Sequence, residues 1–120
     1  MKKLVQSAAI LMLSVAAYQL PAIHAQDQPH VIEIQAKRFS FTPAEITLTQ
    51  GQTTKLAITS ADVTHGLVIP DLGVNVTLPK GKLIEVEVTP QQAGTFHGQC
   101  GHFCGVGHAS MTLSVEVKAK

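Results

Sequence analysis

From residue 30 onward the chain repeats one pattern. Apolar and polar residues alternate in short runs, and each run stops at glycine, proline or a polar turn. Period two sends successive side chains to opposite faces of a strand, so such a chain builds sheets with one dry face. In "VIEIQA" Ile32, Ile34 and Ala36 alternate with Glu33 and Gln35. In "AEITLTQGQ" Ile46 and Leu48 alternate with Thr47 and Thr49, and Gly51 marks a turn. "TKLAITS" places Leu56 and Ile58 on one face. "HGLVIP" is an apolar run stopped by Pro70, and "NVTLPKGK" turns at Pro79 to Gly81. "LIEVEVTP" sets Ile84, Val86 and Val88 against Glu85 and Glu87, with Lys80 and Lys82 facing solvent beside them. "GTFHGQC" and "MTLSVEVKAK" close the chain, the last with Leu113, Val115 and Val117 inward. Seven or eight short strands at this spacing predict a single all-β domain, a two-sheet antiparallel sandwich. No internal repeat or linker interrupts residues 30–120, and no stretch there has the period of an ordinary helix.

The first 25 residues follow a different plan. "MKK" is positively charged, "LVQSAAILMLSVAAYQL" is apolar and uncharged, and "PAIHAQ" offers a break at Pro21 and a small residue at Ala25. That is the layout of a secretory signal peptide cut after Ala25, leaving a domain over 26–120. The apolar run falls short of the roughly 20 residues of a spanning helix, so the membrane is expected to hold this chain only if the leader stays uncleaved. The formal net charge is +1; loss of Lys2 and Lys3 leaves seven basic and eight acidic residues, and 7 − 8 = −1. No basic stripe is present, which argues against nucleic acid as a partner. The expected destination is an exported, oxidising compartment, the periplasm.

"CGHFCGVGHASM", residues 100–111, holds both cysteines, two of the six histidines and one of the three methionines. It lies between the last two strands, and Gly101, Gly105 and Gly107 permit a tight loop. Thiolate, imidazole and thioether form a soft to borderline-soft donor set that favours copper or zinc over calcium or magnesium. The spacing is C-x3-C-x3-H-x2-M. His65, at the mouth of the apolar strand in "SADVTHGLVIP", is the best source of one more ligand. His24 leaves with the leader, and His30 sits near the mature terminus. Four readings of the cluster are open on residue type alone. They are a Cys100–Cys104 disulfide, a tetrahedral zinc site of His65, Cys100, Cys104 and His108, a mononuclear blue-copper site with one idle thiol, and a dinuclear copper site. Asp62 reads as a partner behind a ligand or as a turn residue. His97 reads as solvent-facing, and Phe103 as packing that shields the site.

Three segments together, "FSFTPAEITLTQGQ", "SADVTHGLVIP" and "GTFHGQCGHFCGVGHASM", resemble the dinuclear copper (CuA) domain of subunit II of haem-copper terminal oxidases, over about residues 31–118. The resemblance implies a cupredoxin-like Greek-key β-sandwich and two copper ions per chain. It implies that Cys100 and Cys104 bridge both coppers, that His65 and His108 each ligate one, and that Met111 is a weak axial ligand. His102 contributes its main-chain carbonyl rather than its ring. The implied function is one-electron transfer in a respiratory or copper-redox pathway, with a c-type cytochrome or an oxidase as redox partner and no substrate chemistry of its own. Copper storage or delivery to a terminal oxidase, or an accessory role in an oxidase, are the alternatives. Members of that family are normally anchored by one or two helices before this domain, and often carry a tryptophan where electrons enter. The chain from residue 26 has no tryptophan.

Overall fold

In a computed structural model of the chain, residues 17–20 and 29–120 are described. The proposed leader and its cleavage point lie, apart from residues 17–20, outside the described residues. Among the described residues nine strands form two sheets: β1 (His30–Lys37), β2 (Ser40–Thr42), β3 (Glu45–Thr49), β4 (Thr54–Ser60), β5 (His65–Ile69), β6 (Val74–Leu78), β7 (Leu83–Val88), β8 (Gly94–Gln99) and β9 (Thr112–Lys118). One sheet has the order β2-β1-β4-β7 and the other β3-β9-β8-β5-β6. Two single-turn 3-10 helices, Pro70–Leu72 and His108–Ser110, are the only helical elements among the described residues. The fold is the cupredoxin-like β-sandwich expected from the sequence.

The alternation is realised almost residue by residue. In β4 every second side chain, from Thr54 through Leu56 and Ile58 to Ser60, is buried. Leu113, Val115 and Val117 do the same in β9. Those inner faces pack against each other with Ile34, Phe41, Leu48 and Leu67 to form one core, as two stacked sheets require. His97 faces solvent in β8, as its place in the alternation predicts.

The sheets are not wholly antiparallel. β1 pairs with β4 in parallel, Ala36 opposite Ser60, and β3 pairs with β9 in parallel, Ile46 opposite Val115. Period two reports which face a residue occupies, and it is the same for either strand direction. β2, only three residues long, was also not resolved as a separate strand by the pattern. His30 opens β1 opposite Thr54, at the end of the sandwich away from the cysteine loop.

Candidate metal centre

Two segments carry the soft donors to one end of the sandwich. The first is the turn between β4 and β5, which delivers His65 as the first residue of β5. The second is the loop from Cys100 to Met111, closed at its base where the Cys100 N–H donates to the Met111 carbonyl at 3.0 Å. Because both ends of this loop are tied to neighbouring strands β8 and β9, its side chains are held by sheet rather than by a free loop.

Gly66, the second residue of β5, lies against the main chain of Gly101 and His102, so strand and loop meet backbone to backbone. That close approach brings the His65 ring, fully buried, beside Cys100, with Nδ1 3.8 Å from its Sγ. The two sulfurs are 3.6 Å apart and both are buried. The His108 Nδ1 stands 3.6 Å from the Cys104 Sγ, and the Met111 Sδ stands 3.9 Å from it. The Cys100 thiol donates to the His102 carbonyl oxygen at 3.1 Å, while the His102 ring is exposed and its Nδ1 lies 3.1 Å from the Phe103 carbonyl. Among the described residues, His65, Cys100 and Cys104 form the one group of three such side chains whose ligand atoms all lie within 4.8 Å of one another. All six residues singled out in the sequence therefore converge, and His102 does so through its main chain.

These separations suit a shared metal. Bonds of roughly 2.3 Å to sulfur and 2.0 Å to nitrogen at a tetrahedral angle leave the donors about 3.5 Å apart. The cysteines are free, and a disulfide would need the sulfurs near 2.05 Å.

Asp62 fixes the histidine. Its Oδ1 lies 2.7 Å from the His65 Nε2 and also accepts the Val63 N–H at 2.8 Å; its Oδ2 accepts the Arg38 N–H at 2.8 Å. Placing the ring proton on Nε2, where the carboxylate accepts it, leaves the Nδ1 lone pair turned toward the sulfurs. Partial burial pulls the Asp62 carboxyl up. The Arg38 N–H, the His65 ring and the Val63 N–H outweigh that and hold it at about 2, so the acceptor is ionised. The Cys104 thiol is pushed up to about 11, first by burial and then by the Cys100 sulfur, with the Arg38 charge opposing. A metal that takes this sulfur must displace its proton.

Two residues of the site escaped the sequence reading. Arg38, just after β1, donates from Nε to the Cys104 carbonyl at 3.0 Å, while its main chain is tied to Asp62. Phe39 packs against the loop: a β-carbon on Gly107 would come within 2.4 Å of its ring, and one on Gly105 within 3.0 Å. Gly105 also holds a φ of +136°. The signal available was "KRFSF" itself, a cation and an aromatic at the end of a strand that the parallel pairing carries to the metal end. Phe103 departs from expectation. It is 75% exposed, and its ring centre lies 5.6 Å from that of His108, so it borders the site without sealing it.

The family model described as "Cytochrome C oxidase subunit II, periplasmic domain" matches residues 10–118. The chain belongs to the cytochrome c oxidase subunit II periplasmic-domain family. This family domain is periplasmic, in agreement with the exported destination read from the leader. Cytochrome c oxidase subunit 2 of Candida glabrata is 42% identical over 62 residues, which cover 52% of this chain and 25% of that protein. The chain thus spans about a quarter of that curated relative. Among solved structures, the periplasmic domain of subunit II (CoxB) of Bradyrhizobium japonicum superposes with a TM-score of 0.69, covering 76% of this chain and 85% of that one. At 22% identity this establishes the fold. A chain of a heme-copper terminal oxidase dimer, 28% identical, superposes with a TM-score of 0.67 over 74% of this chain and 65% of that one.

Proposed function

We propose that this subunit II-type domain is an exported copper-binding electron-transfer protein, with a CuA-like dinuclear centre bridged by Cys100 and Cys104. The observation that carries the reading is duplication around two sulfurs. Each thiol has its own imidazole nitrogen, His65 at 3.8 Å from Cys100 and His108 at 3.6 Å from Cys104. Each also has a weaker donor, the His102 carbonyl at 3.1 Å and the Met111 thioether at 3.9 Å. A tetrahedral zinc site would use four of these donors and leave the carbonyl and thioether without a role. A mononuclear blue-copper site would leave one buried thiol idle.

Copper, when bound by these donors, would supply the one-electron couple. The chain's own residues keep the donors in place between the two oxidation states. Asp62 orients His65, Arg38 ties down the Cys104 carbonyl, and Phe39 backs the glycines of the loop. Little ligand movement accompanies electron transfer when the donors are so held. Two shared sulfurs also spread the gained charge over more bonds. Burial of His65, Cys100 and Cys104 favours a carrier that retains its metal over a protein that hands copper on. The redox partner under this reading is a c-type cytochrome or a haem-copper oxidase. Metal analysis and electron-spin resonance of the reconstituted protein test the centre: two coppers sharing one unpaired electron are expected. One copper per chain, or zinc in protein purified from its source, would defeat the reading.

His102 gives a sharper check. Because only its carbonyl points at Cys100 and its ring is exposed, His102→Gln is expected to leave copper content and the main absorption bands nearly unchanged. Loss of a copper on that substitution would make the ring a ligand. The leader belongs to the same reading, with cleavage after Ala25 releasing a chain that begins at Gln26. Intact-mass measurement on fractionated cells is expected to find that species in the periplasmic fraction; a chain retaining Met1 in membranes would contradict it.

A further inference from the structure

The strand registers gather charge of one sign at the metal end. Lys37 ends β1 and Arg38 follows it; β1 runs parallel to β4, with Ala36 opposite Ser60. Ser60 is bridged to Lys80, and its carbonyl accepts the Gly81 N–H at 2.9 Å, which brings the β6–β7 turn and Lys82 to the same rim. Asp62, two residues past Ser60, reaches the His65 ring at 2.7 Å and so sets this rim beside the metal donors. Lys37, Arg38, Lys80 and Lys82 are all exposed. They are four of the seven basic residues that follow residue 25.

Among the described residues, acidic groups do not balance them there. Asp62 is the one carboxylate in the same turns, and the Arg38 N–H, the Val63 N–H and the His65 ring occupy its oxygens. Glu85 lies two residues inward from Leu83 and pairs with Lys55 at 3.5 Å. Glu45 opens β3 opposite Ser114, two residues inward from Thr112, on the edge strand of the other sheet. The cysteine loop at this end carries exposed apolar surface, Phe103 at 75% and Val106 fully exposed. A shallow cleft of about 280 Å³, bordered by Arg38, Val63, His102 and Phe103, opens beside Cys104. An apolar centre with a charged rim is the anatomy of a transient protein interface, in which the rim steers encounter and excludes partners of like charge.

We infer that the metal-bearing end is a docking face for a protein partner whose own contact surface is acidic. This rests on the electron-transfer reading only in supposing that a partner must approach the metal end. Oriented attraction raises the encounter rate and weakens with salt, since the Debye length is about 8 Å at physiological ionic strength. The apolar centre supplies contact once the partner has arrived.

The test uses two c-type cytochromes as probes, one acidic and one basic, titrated into isotope-labelled protein and followed by heteronuclear NMR. The acidic probe is expected to shift the amides of Lys37, Lys80, Lys82, Phe103 and Val106, and to lose affinity about tenfold between low and moderate salt. Lys80→Glu with Lys82→Glu is expected to weaken the acidic probe about tenfold and strengthen the basic one. Lys80→Gln with Lys82→Gln, a milder change at exposed sites, should give a smaller loss of the same sign. Preference for the basic probe by the unaltered protein, shifts confined to the Asp71 end, or affinity indifferent to both pairs would overturn the inference. The titration runs with or without copper. A failed copper centre with intact mapping defeats the function alone, and a loaded centre without mapping defeats the docking face alone.

Discussion

Cys100→Ser and Cys104→Ser are each expected, under the dinuclear reading proposed above, to abolish the shared-electron signal and leave one copper per chain or a heterogeneous mixture. Both sulfurs are buried, 3.6 Å apart, and each is the neighbour of a different imidazole. A serine oxygen is a harder donor, so copper, and above all Cu(I), gains little from it. The remaining sulfur cannot hold two metals symmetrically while each keeps its imidazole. Met111→Leu is the internal contrast. Its sulfur is the more weakly bound type of donor, and leucine nearly conserves the volume of a fully buried side chain. That variant should retain two coppers and shift the reduction potential. Metal analysis, electron-spin resonance and voltammetry on the three variants separate the outcomes. A normal two-copper signal in either serine variant would remove that cysteine from the bridge.

Gly66→Ala is expected to crowd the point where strand and loop meet. A β-carbon there would lie 3.0 Å from the His102 nitrogen, 3.1 Å from the Gly101 carbonyl carbon and 3.2 Å from the Gly101 nitrogen. All three atoms are backbone, so no rotamer change relieves the crowding. Either β5 or the cysteine loop must give by a few tenths of an ångström, which shifts His65 against Cys100. Forced overpacking of this kind costs about 1–3 kcal/mol, and each kcal/mol lowers Tm by roughly 4–8 °C in a domain of this size. Thermal unfolding followed by circular dichroism reads the stability, and copper content after dialysis reads the site. A steep fall in copper retention alongside the Tm drop is expected. An unchanged Tm with full copper content would mean that strand and loop do not meet as described.

Gly101→Ala offers a graded comparison. Its β-carbon would strike the Val68 Cγ2 at 2.4 Å, but that atom belongs to a side chain and can turn aside. The difference between the two glycines is invisible in a row of letters. Both sit beside a ligand, and both read as loop or strand-end freedom. Only the fold shows that one faces main chain and the other a movable methyl.

What the sequence determined by itself was the pattern of faces and the inventory of donors. Alternation in "TKLAITS" and "MTLSVEVKAK" named the buried residues, because period two is a local property of extended backbone. The spacing within residues 100–111 placed two thiols, an imidazole and a thioether in one tight loop, because twelve residues rich in glycine cannot disperse them. Direction and adjacency were decided only in three dimensions. The parallel β1–β4 and β3–β9 pairs leave no mark on the alternation. Arg38 and Phe39 come to the cysteine loop through the first of these pairs, from 66 positions away in the case of Arg38 and Cys104. Asp62 could be suspected beside His65, but its hold on Nε2 is a matter of 2.7 Å that the turn had to supply. The candidate ligands are written in the chain; the groups that hold them still, and the basic residues near them, come from long-range pairing between strands.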